Sequence, residues 1–130
     1  MEIGIVGLGL IGGSLAKAIS QNTDNTVYGT DLSEQVVRKA ILVNAIEQPL
    51  TDTLLTQCDI VIVALYPQAT VDYVKSHADL IKDGAVVVDC GGIKKLVCDE
   101  LIPVAEEHGF LFVGGHPMAG LEHSGFTYAK

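Results

Sequence analysis

The stretch GLGLIGG, residues 7–13, constrains this chain more than any other part of it. It holds G-x-G-x-x-G directly after a short apolar run, Ile3 to Val6, and directly before Leu10 to Ser20, which reads as a helix. Glycines at those three places let a strand turn sharply into a helix. Gly7 makes the turn, Gly9 lets a ligand approach the backbone, and Gly12 lets the helix lie close on the sheet. The first helical turn then presents amide N–H groups without partners, together with the positive end of the helix dipole, an arrangement suited to a pyrophosphate. Glycines in this pattern also serve as plain turn residues in α/β folds that bind something else, so the rest of the chain decides.

Short β-rich runs alternate with longer segments of helical period. Thr26 to Thr30 reads as a second strand ending at Asp31, and Ser33 as the N-cap of a helix reaching about Asn44. A weak third strand is expected near Ile46. The continuous apolar run Asp59 to Leu65 suits a strand buried on both faces. After Pro67, the stripe Val71, Val74, Ala78 and Ile81 predicts a helix ended by Gly84, followed by a strand over Ala85 to Cys90. Val97, Leu101, Val104 and His108 stripe a last helix, which Pro103 is expected to kink or split, before a strand from Phe110 to Val113. This alternation predicts one α/β domain across residues 1–130, a Rossmann-like, doubly wound parallel sheet with helices on both faces.

In such a sheet the amides of Leu10, Ile11 and Gly12 face a dinucleotide's phosphates, and a carboxylate at the end of the second strand accepts from ribose hydroxyls. Asp31 stands there, 24 residues beyond Gly7, and no arginine among Leu32, Ser33 and Glu34 would offset its repulsion of a 2′-phosphate. The expected cofactor is therefore NAD rather than NADP. Further contacts are expected at the carboxyl ends of later strands, at Leu65, Tyr66 and Pro67 and at Gly91, although Pro67 serves equally well as a helix-start residue.

A formal charge of −8 disfavours nucleic acid as a partner. The longest apolar run, about seven residues, is far below the roughly 18 of a membrane span. The start MEIGIVGLGL lacks a basic segment ahead of its apolar residues, so a cytoplasmic location is expected. Cys58, Cys90 and Cys98 form no C-x-x-C pair and read as small buried hydrophobes with reduced thiols; no metal site is expected.

GLGLIGGSLAKAI near the start and GGHPMAGLEHSG, residues 114–125, near the end together resemble the NAD-binding domain of the prephenate and arogenate dehydrogenases. The likeness runs along essentially the whole chain, and G-H-P-M-A-G is its specific part. It implies oxidative decarboxylation of a small-molecule substrate, prephenate or arogenate, for tyrosine biosynthesis, with His116 at the substrate hydroxyl. A neutral imidazole suits removal of that proton near neutral pH. A histidine at a strand end can also simply cap backbone groups. Glu122 matches the acidic residue of the family's G-x-E-x-S-G and is expected to orient groups of the substrate site, or else to be a solvated loop carboxylate. His77, His108 and His123 have no motif behind them.

Two departures stand out. Gly92, in DCGGIKK, replaces a serine common in the family, and Leu121 replaces a threonine found in some members. Arg38, the chain's one arginine, lies far from the expected substrate end, whereas Lys94 and Lys95 could face it. The resemblance implies that members continue into a helical domain that closes the cleft, supplies a substrate arginine and forms a homodimer. On this reading the 130 residues bind NAD, are weakly active or inactive alone, and expose an apolar surface. A β-hydroxyacid dehydrogenase or pyrroline-carboxylate reductase would carry a different loop and tail, and a free-standing NAD-binding module would leave His116 idle.

Overall fold

The structure, a computed structural model, describes residues 1–90 and 95–114. Strands β1 (Glu2–Val6), β2 (Thr26–Thr30), β3 (Gln48–Pro49), β4 (Ile60–Val63), β5 (Val86–Asp89) and β6 (Leu111–Gly114) alternate with helices α1 (Leu10–Asn22), α2 (Glu34–Leu42), α3 (Asp52–Leu55), α4 (Pro67–His77) and α5 (Lys95–His108). The strands form one parallel sheet in the order β3-β2-β1-β4-β5-β6. The chain steps outward from β1 to β3, then returns to β1's other side and steps outward again. That reversal places the topological switch point between β1 and β4.

Alternate strand residues serve opposite faces, as the twofold period of a strand requires. Ile3 and Ile5 pack with Leu8, Ala16, Val27, Ala40 and Ile46 beneath α1 and α2. Val6, Val61, Val63 and Val87 pack with Val71, Val74, Val97 and Leu101 beneath α4 and α5. The cover on the first face thins toward β6. Ile60 and Ile62 are half-buried, as are Val86 and Val88 beside them, and at the same register Leu111 and Val113 are exposed.

Several expectations are revised. Helix α2 stops at Leu42, because Asn44 takes φ 60°, a left-handed conformation in which asparagine is at home. The third strand falls on Gln48–Pro49 rather than at Ile46, which is instead buried against α2. Gly84 does not end α4. That helix ends at His77, a 3-10 turn over Ala78–Leu80 follows, and Gly84, at φ +85°, turns the chain into β5. Ala78 and Ile81 stay buried across the change of helix type, so the apolar stripe survives it. Pro103 neither splits nor ends α5. It lies on the exposed side, where a helix curving around its core tolerates the lost hydrogen bond. The short α3, capped by Thr51 Oγ1 accepting from the Leu54 amide at 3.2 Å, carries too few residues to show a period.

The amino-terminal edge of the sheet is tied by polar groups. The Glu2 amide donates to Asp59 Oδ2 at 2.9 Å, Lys82 Nζ donates to Asp59 Oδ1, and Tyr28 Oη donates to Glu2 Oε1 at 3.0 Å. The lysine, with the Glu2 amide, holds the Asp59 carboxyl below its ordinary range. Among the described residues no helix is long and apolar enough to cross a membrane.

Candidate functional site

Beyond Val6 the backbone turns through Gly7 at φ +95°, a conformation that L side chains rarely adopt. The turn is crowded as well as strained: a Cβ on Gly7 would stand 2.4 Å from the Ala64 carbonyl oxygen, at the end of β4. A Cβ on Gly12 would stand 1.8 Å from the Gly7 carbonyl oxygen, so the helix start rests directly on the loop. Around Gly9 the situation is opposite. Its Cβ would meet nothing within 4 Å, leaving the backbone open on that side.

Gly9 is also the N-cap of α1, and it offers no side chain to the helix. The first bond of the helix runs from the Gly13 amide to the Gly9 carbonyl at 2.7 Å. The amides of Leu10, Ile11 and Gly12 precede it and find no protein acceptor among the described residues. No acidic side chain occupies that first turn. Unpaired amides and an unopposed dipole make this helix end a place for an anion.

A cleft of about 280 Å³ opens beside it, lined by Gly9, Leu10, Ile11, Gly12, Ala64, Leu65, Tyr66 and Cys90. It sits over the carboxyl ends of β1, β4 and β5, at the switch point. Leu10 and Tyr66 stand at its rim, 89% and 87% exposed, while Cys90 is buried at its floor. Burial, with Asp89 nearby, pushes the Cys90 thiol up to about 11, and burial raises Cys58 to about 11 as well. Both are neutral at pH 7 and behave as the small apolar residues expected.

Asp31 stands just past β2 and is half-buried. Its Oδ2 accepts from the Leu8 amide at 2.7 Å and its Oδ1 from the Ser33 amide at 3.0 Å. Ser33 Oγ in turn caps α2, accepting from the Val36 amide at 3.3 Å. The loop carries two further ties. The Gly7 amide donates to the Thr30 carbonyl at 2.8 Å, and the Leu8 side chain is buried under α1 and α2.

The fold thus brings together Gly7, Gly9, Leu10, Ile11, Gly12, Leu65 and Tyr66, with Asp31 at the neighbouring strand end. Pro67 is the first residue of α4 and lines a separate groove between α4 and α5, with Lys75 and Glu100 paired across it at 2.6 Å. Gly91, His116 and Glu122 lie outside the described residues, as do Gly92, Lys94, Leu121 and His123. Strand β6 runs parallel to β5 with Gly114 opposite Asp89, so it ends at the same edge of the sheet as the glycine turn. His77 stacks on Tyr73 with ring centroids 3.9 Å apart, and His108 bridges the Val104 carbonyl and Asp79; neither borders the cleft. The contact that sequence reasoning missed is Asp31 to Leu8, because nothing in a side-chain pattern says which backbone amide a carboxylate will meet.

Residues 15–130 match the family described as prephenate dehydrogenase, nucleotide-binding domain, a match that begins just after the glycine turn. The chain is similar to prephenate dehydrogenase of Bacillus subtilis, 32% identical over 130 residues that make up 97% of this chain and 35% of that protein. It is 32% identical over 128 residues to cyclohexadienyl dehydrogenase of Zymomonas mobilis, covering 95% of this chain and 43% of that one. A crystal structure of prephenate dehydrogenase from A. aeolicus, in complex with hydroxyphenyl propionate and NAD+, superposes with a TM-score of 0.80 at 27% identity, over 98% of this chain and 45% of that one. The chain therefore spans less than half the length of each of these relatives.

Proposed function

Because the chain belongs to the prephenate dehydrogenase nucleotide-binding domain family, we propose that it holds NAD for the oxidative decarboxylation of prephenate to 4-hydroxyphenylpyruvate. The observation that carries this reading is the bare amide end of α1 opening on the switch-point cleft, beside an acidic residue at the end of β2. The cradle fits the cofactor on its own chemistry: unpaired donors for a pyrophosphate, open space at Gly9 for its approach, and a carboxylate for the adenosine ribose.

When bound, NAD supplies the acceptor for the hydride that leaves the hydroxyl-bearing ring carbon. The protein's own residues do the rest. The amides of Leu10, Ile11 and Gly12 hold the phosphates, while Leu65, Tyr66 and Gly91 flank the cofactor beyond them. His116 takes the hydroxyl proton as the carbonyl forms. The C–C bond to the ring carboxylate then breaks with loss of CO2, its electron pair makes the ring aromatic as a phenolate, and the proton held at His116 returns to the phenolate oxygen. Glu122 orients the groups around the substrate. Prephenate carries two carboxylates, and the one arginine, Arg38, lies on α2, salt-bridged to Glu34 at 3.9 Å. Substrate carboxylates therefore call for groups beyond these 130 residues, in a helical domain that also forms the homodimer. Assayed alone, the chain binds NAD and turns over prephenate weakly or not at all. Arogenate is the alternative substrate, and the name cyclohexadienyl dehydrogenase carried by one relative favours keeping it in the assay.

Isothermal titration with NAD and NADP tests the reading. NAD is expected to bind more tightly, since Asp31 repels a 2′-phosphate. Tighter binding of NADP would remove Asp31 from its role, and binding of neither would end the proposal.

A further inference from the structure

Asp31 does more in this fold than face a ribose. A carboxylate offers about four lone-pair sites on its two oxygens. Here one site on Oδ2 is filled by the Leu8 amide at 2.7 Å and one on Oδ1 by the Ser33 amide at 3.0 Å, which leaves one on each oxygen for a pair of adjacent hydroxyls. The Leu8 bond is the shorter of the two and spans 23 residues of sequence. It joins the middle of the glycine turn to the end of β2, next to the bond from the Gly7 amide to Thr30. Leu8 is thus gripped at its amide by Asp31 and at its side chain by the core, one residue before the N-cap of α1.

We propose that Asp31 is a positioning residue for the diphosphate as well as an acceptor for the ribose diol. Its grip on the Leu8 amide sets where the bare amides of α1 point, so affinity for a dinucleotide diphosphate depends on Asp31 even when the ligand has no ribose hydroxyls to offer it. This rests on the reading of the cleft as a dinucleotide site. An asparagine would still have one oxygen to accept from the Leu8 amide, with its NH2 set against Ser33, whereas an alanine removes both acceptors. The hydrogen bond lost is one to a charged group, the stronger kind.

The test compares the wild-type chain with Asp31→Ala, using NAD and an NAD analogue whose adenosine ribose is 2′,3′-dideoxy. A carboxylate that served only the diol would leave the analogue's affinity unchanged by the substitution. Under this proposal Asp31→Ala weakens the analogue by about tenfold and NAD by more. Amide hydrogen exchange supplies a second readout: Leu8 should lose protection in the variant while Val61 and Val63 in β4 keep theirs, which shows that the sheet is intact. Equal analogue affinity in the two proteins, or an unchanged Leu8 amide, overturns the proposal and leaves the NAD reading standing. Failure of the wild-type chain to bind either dinucleotide overturns both.

Discussion

Helices α1 and α2 both follow strands of one parallel sheet and begin at the same edge of it, yet they treat their first amides in opposite ways. Helix α2 has Ser33 as its cap and Glu34 in its first turn. It meets its own electrostatic needs. Helix α1 has a glycine cap, no side-chain bond and no acid in its first turn. A start like α1's costs a little stability, since a glycine cap is worse than a capping side chain by roughly a few tenths of a kcal/mol and the missing acid in the first turn forgoes about 0.3–1 kcal/mol. The contrast teaches that the chain can build a self-sufficient helix start and has left that of α1 bare, where the sheet's topology opens a cleft.

The largest expected effect comes from filling the packed glycine. Gly12→Ala drives a Cβ to 1.8 Å from the Gly7 carbonyl oxygen, and backbone must move. Urea unfolding should show a loss of about 3 kcal/mol or more, with NAD binding abolished. A smaller and more telling pair exchanges the characters of the two helix starts. Ser33→Ala should cost about 1 kcal/mol and leave NAD affinity nearly unchanged. Leu10→Asp, at an 89% exposed position, should stabilise the fold by roughly 0.3–1 kcal/mol while weakening NAD severalfold. A stabilised Leu10→Asp variant that binds NAD normally would show that the bare start is not a binding device.

The smallest effect lies at the other end of a helix. His108, near the end of α5, has its pKa raised by its bond to the Val104 carbonyl and by Asp79. Its contribution to stability is therefore complete below the ordinary histidine value of about 6.5 and is lost as pH rises through the elevated folded value. His108→Gln should lower the unfolding temperature slightly at pH 5.5 and leave it unchanged at pH 9. A larger effect at the alkaline end would reverse the assigned direction.

Much of this is legible in the amino-acid sequence. Valine and isoleucine runs such as DIVIVAL announce buried strands, and G-x-G-x-x-G between a strand and a helix announces the anion cradle. What escaped did so for physical reasons. The stripe Val71, Val74, Ala78, Ile81 is satisfied equally by an α-helix and by an α-helix passing into a 3-10 turn, so periodicity could not place the end of α4 at His77. Pro103 reads as a break only until one knows that it faces water. Asp31 was legible as an acid at a strand end, whereas its hold on Leu8 is a backbone contact across 23 residues and leaves no mark in composition or spacing.

The reversal of strand order between β1 and β4 also has a consequence for timing. A chain emerging amino end first completes the glycine turn within its first dozen residues, but the opposite wall, at Ala64, Leu65 and Tyr66, arrives some fifty residues later. During that interval the nascent chain carries exposed amides with nothing facing them. Ligand capture is therefore coupled to the docking of β4 against β1, and the cofactor can reward folding only after the sheet has grown past its own starting strand.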